Sequence, residues 1–137
     1  NSLIDGKYTY LYYESTQPDA WQKTYGWLVT SDELDDFFVS DLQGFGFSDH
    51  EIDDFSEYWI PRLNNYEACL IYPQTEKDMD NLVELNITPS PDQLLRYYYY
   101  IKGLESADGI NSPPEPQLSS DFIRDGFVVT EWGVIME

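Results

Sequence analysis

Basic residues are scarce in this chain. Lys and Arg together number 7 of 137 residues, against 26 Asp and Glu, for a formal net charge of −19. The four Lys and three Arg are spread along the sequence. Gripping a phosphate backbone needs clustered cations, so direct nucleic-acid binding is disfavoured. Anionic membrane surfaces are disfavoured for the same reason. Histidine occurs once, at His50, which rules against a Ser-His-Asp triad or a His-rich zinc site. Cysteine also occurs once, at Cys69, inside the apolar run Ala68-Cys69-Leu70-Ile71. It has no internal disulfide partner and reads as a buried, inert thiol. No apolar run approaches the ~20 residues of a membrane helix. No signal-peptide pattern is present, and the start at Asn1 is compatible with a mature or trimmed product. Phosphate loops, Cys/His metal clusters and dinucleotide-binding glycines are missing. Gly44-x-Gly46 is too short and follows a predicted helix.

What the chain has in abundance is acid and aromatic surface. Apolar residues make up 42% and aromatics 17%, with 12 Tyr and 4 Trp. That supports a real core in one domain rather than a disordered chain. Tyrosine buries area while keeping a polar tip at the edge, so many tyrosines on one sheet suggest a half-wet face. Three readings of the acidity compete: a solvated, solubilising surface, a basic partner or mimicry of DNA, and cation binding or a salty habitat.

Strands are expected at 8–13 ("YTYLYY"), 25–30 ("YGWLVT"), 67–72 ("EACLIY"), 82–88 ("LVELNIT"), 94–104 ("LLRYYYYIKGL") and 126–135 ("GFVVTEWGVI"). In the tyrosine strand, alternation puts Leu94, Arg96, Tyr98 and Tyr100 on one side. Leu95, Tyr97, Tyr99 and Ile101 fall on the other. Between the second and third strands the period changes. Ser31 is a good N-cap followed by Asp32 and Glu33. Leu34, Phe37, Phe38, Asp41 and Leu42 then fall at helical spacing, all but Asp41 apolar, and Gly44 and Gly46 stop this helix. Ser48-Asp49-His50-Glu51 is a capping box that opens a second helix with Ile52, Phe55, Trp59 and Leu63 on one face. Pro61 is expected to bend or end that helix near Trp59-Ile60. Residues 105–120 read as a long Ser/Pro-rich loop, with a short helical turn at 120–124. Strands, two adjacent helices, then more strands predict an α+β fold. A mostly antiparallel sheet of about five strands would carry both helices on one face.

The pieces "YLYYES" (10–15), "YGWLVT" (25–30), "SEYWIPRLNNY" (56–66), "ITPSPDQLLRYYYYIKGL" (87–104) and "RDGFVVTEWG" (124–133) resemble, in order, motifs of one family. It is a large group of uncharacterised bacterial and microbial-eukaryote proteins that often begin with a "KPVIYLYPE"-like segment. Its motifs look like an aromatic-Trp-Glu-Gly piece, a Gly-Phe-Val-Val strand, Tyr-Trp-Leu-Pro, Pro-x-Pro-Asp-Ser-x-x-Arg and Gly-Phe-x-Val-Val-Glu-Trp-Gly-Gly. Here Tyr13 stands for the usual Trp, Ser15 for Gly, Gln93 for Ser and Val134 for the second Gly. The resemblance implies the C-terminal domain of a longer protein. The family has no established activity to carry over.

One constellation stands out. Glu14 and Glu131 each follow aromatic or β-branched residues near the end of a predicted strand. Two such carboxylates, brought together, can serve as acid and base on a glycosidic bond or ligate Ca²⁺. Trp59, Trp132, Tyr98 and Tyr100 can stack on sugar rings, and Arg96 can pair with either acid. The plain alternative is a structural Arg–Glu pair. His50 reads as a solvated capping-region residue. "SDELDD" and "DHEIDD" lack the spacing of a calcium loop and read as helix starts. Asn86-Ile87-Thr88 is a glycosylation sequon that matters only in a eukaryotic secretory setting.

Together these features favour a non-enzymatic binding or assembly domain, exported or surface-associated, that needs no cofactor. An aromatic-rich sheet face would contact a protein or carbohydrate through Glu14, Trp59, Arg96, Tyr98, Tyr100, Glu131 and Trp132. A basic protein partner is compatible with the charge. An acidic decoy of a nucleic-acid-binding protein and a carboxylate hydrolase using Glu14 and Glu131 are the alternatives.

Overall fold

The computed structural model describes residues 21–75, 77–78, 88–118, 120 and 122–137. The expected strands at 8–13 and 82–88 lie, but for Thr88, outside these residues. Among the described residues, four strands and two helices form an α+β arrangement: β1 (Trp27–Thr30), α1 (Leu34–Phe45), α2 (Asp49–Leu63), β2 (Ala68–Gln74), β3 (Gln93–Leu104) and β4 (Val128–Met136). The sheet order is β1-β2-β3-β4. β1 pairs with β2 and β2 with β3 in antiparallel sense, whereas β3 and β4 run parallel. The sheet is therefore mixed. A parallel pair needs a crossover, and residues 105–127 supply it, with no helix among the described ones. No helical turn forms at the described positions around 120–124.

Local chemistry sets the helix bounds. Ser31 is not the N-cap; Ser31–Glu33 form a 3-10 turn and α1 begins at Leu34. Thr30 Oγ1 lies 2.6 and 2.7 Å from the carboxylates of Asp32 and Glu33, which draws this acidic turn back onto β1. α1 runs through Gly44 and ends at Gly46, whose φ of 112° is left-handed. Phe47 N–H donates to Leu42 O and Gly46 N–H to Gln43 O, a Schellman closure that a Cβ at this φ would strain. The capping box at Ser48 is present: Glu51 N–H donates to Ser48 Oγ and Ser48 N–H to Glu51 Oε1. The same Glu51 carboxylate accepts from Thr130 Oγ1 on β4 and from Arg124 in the crossover. One acid thus ties three elements together. Pro61 does not end α2, which continues to Leu63. In a last turn its missing N–H forfeits one bond, and Ile60 O still accepts from Asn64 N–H.

The alternation read for β3 holds. Leu95, Tyr97, Tyr99 and Ile101 face the helices and pack with Leu34, Phe38, Leu42, Phe45, Ile52, Phe55 and Leu63 in the main core. Each fully buried Leu, Ile or Phe of that layer contributes about 1.5–3 kcal/mol. Cys69 is part of this core, and burial pushes its thiol up to about 11, so it is chemically quiet. On the opposite face Trp21 and Tyr100 form a smaller cluster with Tyr72, Tyr98 and Ile135. β2 tolerates Pro73 because β1 pairs only as far as Ile71, leaving the next stretch without that neighbour. There Gln22 and Gln74 clasp instead: Gln22 Nε2 donates to Pro73 O, and Gln74 Nε2 to Gln22 O.

Candidate functional site

Four of the residues marked by the sequence gather on the sheet face away from the helices. Arg96 and Glu131 stand opposite each other in the β3–β4 register. Arg96 Nε donates to Glu131 Oε1 at 2.5 Å, with the two side chains only 1% and 10% exposed. Tyr98 Oη donates to Glu131 Oε2 at 3.2 Å. The Tyr98 ring lies over Gly133, where a Cβ would come within 2.8 Å of it, so glycine makes room for that contact. Tyr100 is buried; its hydroxyl donates to Glu137, which also holds Lys102 at 3.3 Å, while Lys23 lies 4.6 Å from its ring centroid. The carboxylate inside the last apolar strand is thus explained by its cross-strand ion pair.

Two of the other three, Trp132 and Trp59, are not brought there. Trp132 follows Glu131 directly and therefore points to the opposite side of the strand. It packs edge-on against Phe47, 6.0 Å between centroids, on the helix side. Trp59 belongs to α2 and packs against the helix-side core. Sugar stacking that combines Glu131 with these indoles is excluded by that geometry. Glu14 lies outside the described residues. His50 is exposed, near Asp54 at i+4, as its place in the first turn of α2 suggested.

A second carboxylate was passed over by the sequence reading. Asp41 sits in the stripe of α1 that faces the sheet. Tyr97 and Tyr99 both donate to its Oδ2, at 2.7 and 2.6 Å. Asp41 Oδ1 accepts no hydrogen bond from the described residues. Burial raises the Asp41 carboxyl above the usual range, and the two hydroxyl bonds draw it partly back. Burial, with the neighbouring acid and phenol, holds Tyr97 and Tyr99 well above the usual phenol range. Tyr97 stacks on Phe45 at 3.9 Å, and Phe37 meets Trp27 edge-on at 4.8 Å. The signal was legible: Asp41 was the one polar residue in an apolar helical stripe.

Asp41 lines a surface cleft. The crossover lays Pro114 O against Gly26 N–H at 3.0 Å, at the outer end of β1, and continues past the end of α1 with Leu118 and Phe122 on the core. Between this strap, α1 and β1 lie two adjoining clefts of about 380 and 520 Å³. They share Trp27, Phe37 and Glu115; Asp41 and Phe45 line one, Glu33 and Asp36 the other. Every charged residue among their described lining residues is an acid. No helix among the described residues is long and apolar enough to cross a membrane. No family model, no curated protein and no solved structure matches this chain.

Proposed function

We propose that this domain is a non-enzymatic binding module that captures a positively charged segment of a partner protein. The surface favoured for this role is the cleft of α1, β1 and the crossover rather than the tyrosine sheet face. One observation carries the reading. Aromatic walls from Trp27, Phe37 and Phe45 stand beside the acids Glu33, Asp36, Asp41 and Glu115, with no cation among the described lining residues. Rings beside carboxylates attract a cation twice, through Coulomb attraction and through the ring quadrupole. A cleft of a few hundred Å³ is of the size that holds a ligand side chain rather than one ion. The sheet face is less suited, because its acids already have internal cations and Tyr100 is buried. A hydrolase built on Glu131 draws no support from a carboxylate committed to Arg96 and Tyr98.

Titration with octalysine, at low and at moderate salt, tests the reading. The triple variant E33K/D36K/E115K should weaken binding roughly tenfold or more. A control, D53K/E57K/E105K, changes net charge equally at exposed positions outside the cleft and should weaken it far less. Equal loss in both would mean diffuse attraction to an acidic surface and would remove the cleft from the account.

A further inference from the structure

The four carboxylates of the cleft are not equivalent. Glu33, Asp36 and Glu115 are exposed, while Asp41 is half-buried and fixed from behind. Two tyrosine hydroxyls donate to one of its oxygens, Oδ2, and each comes from a residue in the core. A carboxylate oxygen offers about two lone-pair sites, so Oδ2 is filled. Oδ1 receives no hydrogen bond from the described residues, and Asp41 lines the cleft beside Trp27, Phe37 and Phe45. Gly44, one helical turn on, leaves the entrance open; a Cβ there would meet no atom within 4 Å.

This arrangement discriminates between the two basic side chains. A guanidinium binds a carboxylate best through a two-pronged fork, which needs both oxygens. Of the two on Asp41, only Oδ1 is left without a donor among the described residues, so Asp41 has one oxygen to give. An ammonium is a compact charge that needs a single acceptor at each of its protons. Its methylene stem can lie along apolar rings while the head reaches the charge. Building on the binding reading above, we infer that Asp41 is the anchor for a lysine side chain of the partner. The ammonium meets Oδ1, and the stem packs on Trp27 and Phe37. Tyr97 and Tyr99 are positioning residues. They hold Oδ2, fix the carboxylate plane and turn a symmetric acceptor into a one-sided one.

The test compares short Gly/Ser peptides that carry a pair of lysines, a pair of arginines or a pair of Nε-acetyl-lysines, titrated into the intact chain. The lysine peptide should bind roughly tenfold tighter than the arginine peptide, and acetylation should abolish binding. In D41N the lysine and arginine peptides should converge. In Y97F/Y99F, which frees Oδ2, the arginine peptide should gain on the lysine one. The indole N–H resonance of Trp27 should shift with the lysine peptide and not with the acetylated one. The three peptides on the unaltered protein decide the matter even if D41N folds poorly. Arginine binding as tightly as lysine, or a lysine preference that survives in D41N, overturns the anchor. If both peptides bind and E33K/D36K/E115K weakens both, while lysine holds no advantage, the cleft reading stands and the anchor alone falls. If neither basic peptide binds, both fall.

Discussion

The two faces of the sheet handle acid in opposite ways. Away from the helices, each carboxylate described on the sheet has a cation: Glu131 holds Arg96, and Glu137 holds Lys102. Toward the helices, Asp41 is held by two neutral hydroxyls, and the cleft it lines has no cation among its described wall residues. Both faces use the same strand, β3, and the same residue type, tyrosine. What differs is where the charge is settled. On the first face it is settled inside the fold, and the carboxylate stabilises the molecule. On the second it is met by neutral hydroxyls, with no cation among the described residues of the cleft wall.

The largest effect should come from breaking the settled pair. Removing either member leaves the other charge buried, which costs about 3–5 kcal/mol. R96A and E131A should each lower stability by that order in urea unfolding. The double replacement R96M/E131L should recover most of the loss, since matched apolar groups avoid the desolvation cost altogether. A single substitution costing less than ~1 kcal/mol, the scale of a surface pair, would show that the two faces do not differ in this respect.

Next in size are the core tyrosines. Y97F and Y99F each remove one of the two donors to Asp41, at about 1–1.5 kcal/mol apiece. Their alkaline behaviour is more telling. The folded-state values of Tyr97 and Tyr99 lie well above the unfolded value. Their contribution is therefore complete below the unfolded tyrosine value of about 10 and is lost as pH rises through the folded values. Stability should fall steeply above that pH, and ultraviolet titration should show tyrosines that ionise only as the protein unfolds. In Y97F/Y99F the steepness should lessen. Free titration of every tyrosine before unfolding would contradict the buried carboxylate–hydroxyl cluster.

Why the sequence reveals one face better than the other follows from the range of the forces involved. Alternation along β3 is local, so the division of its residues between two sides can be read directly, and so can the capping box at Ser48. The Arg96–Glu131 pairing was foreseeable as chemistry but not as geometry, because nothing local makes β4 run parallel to β3. The irregular stretch 105–127 carries no periodicity from which its path over α1 could be traced. The cleft depends on that path and was invisible for that reason. Grouping Trp132 with Glu131 was a different error. Sequence neighbours in a strand face opposite ways, so adjacency argues against a shared site. Asp41 was visible as a polar residue in an apolar stripe, but its meaning needed the two tyrosines, more than fifty residues away along the chain.

The smallest effect is also the one that separates the faces by sign. Glu137, bonded to Tyr100 and Lys102, titrates below the usual carboxylate value. Its contribution is present above the unfolded value and is lost as pH falls through the folded one. Asp41, shifted up chiefly by burial, behaves in reverse. Its contribution is full below the unfolded carboxylate value of about 3.9 and disappears as pH rises through the folded value. E137Q should therefore flatten the acid limb of the stability profile, and D41N should remove a decline with rising pH. The same difference links to binding. A lysine ammonium beside Asp41 favours the charged carboxylate and so lowers its pKa, which requires proton release on binding between the two values. The lysine peptide should accordingly bind more tightly as pH rises through that window, and D41N should erase the dependence. A pH-independent affinity in the unaltered protein would place the ammonium elsewhere in the cleft.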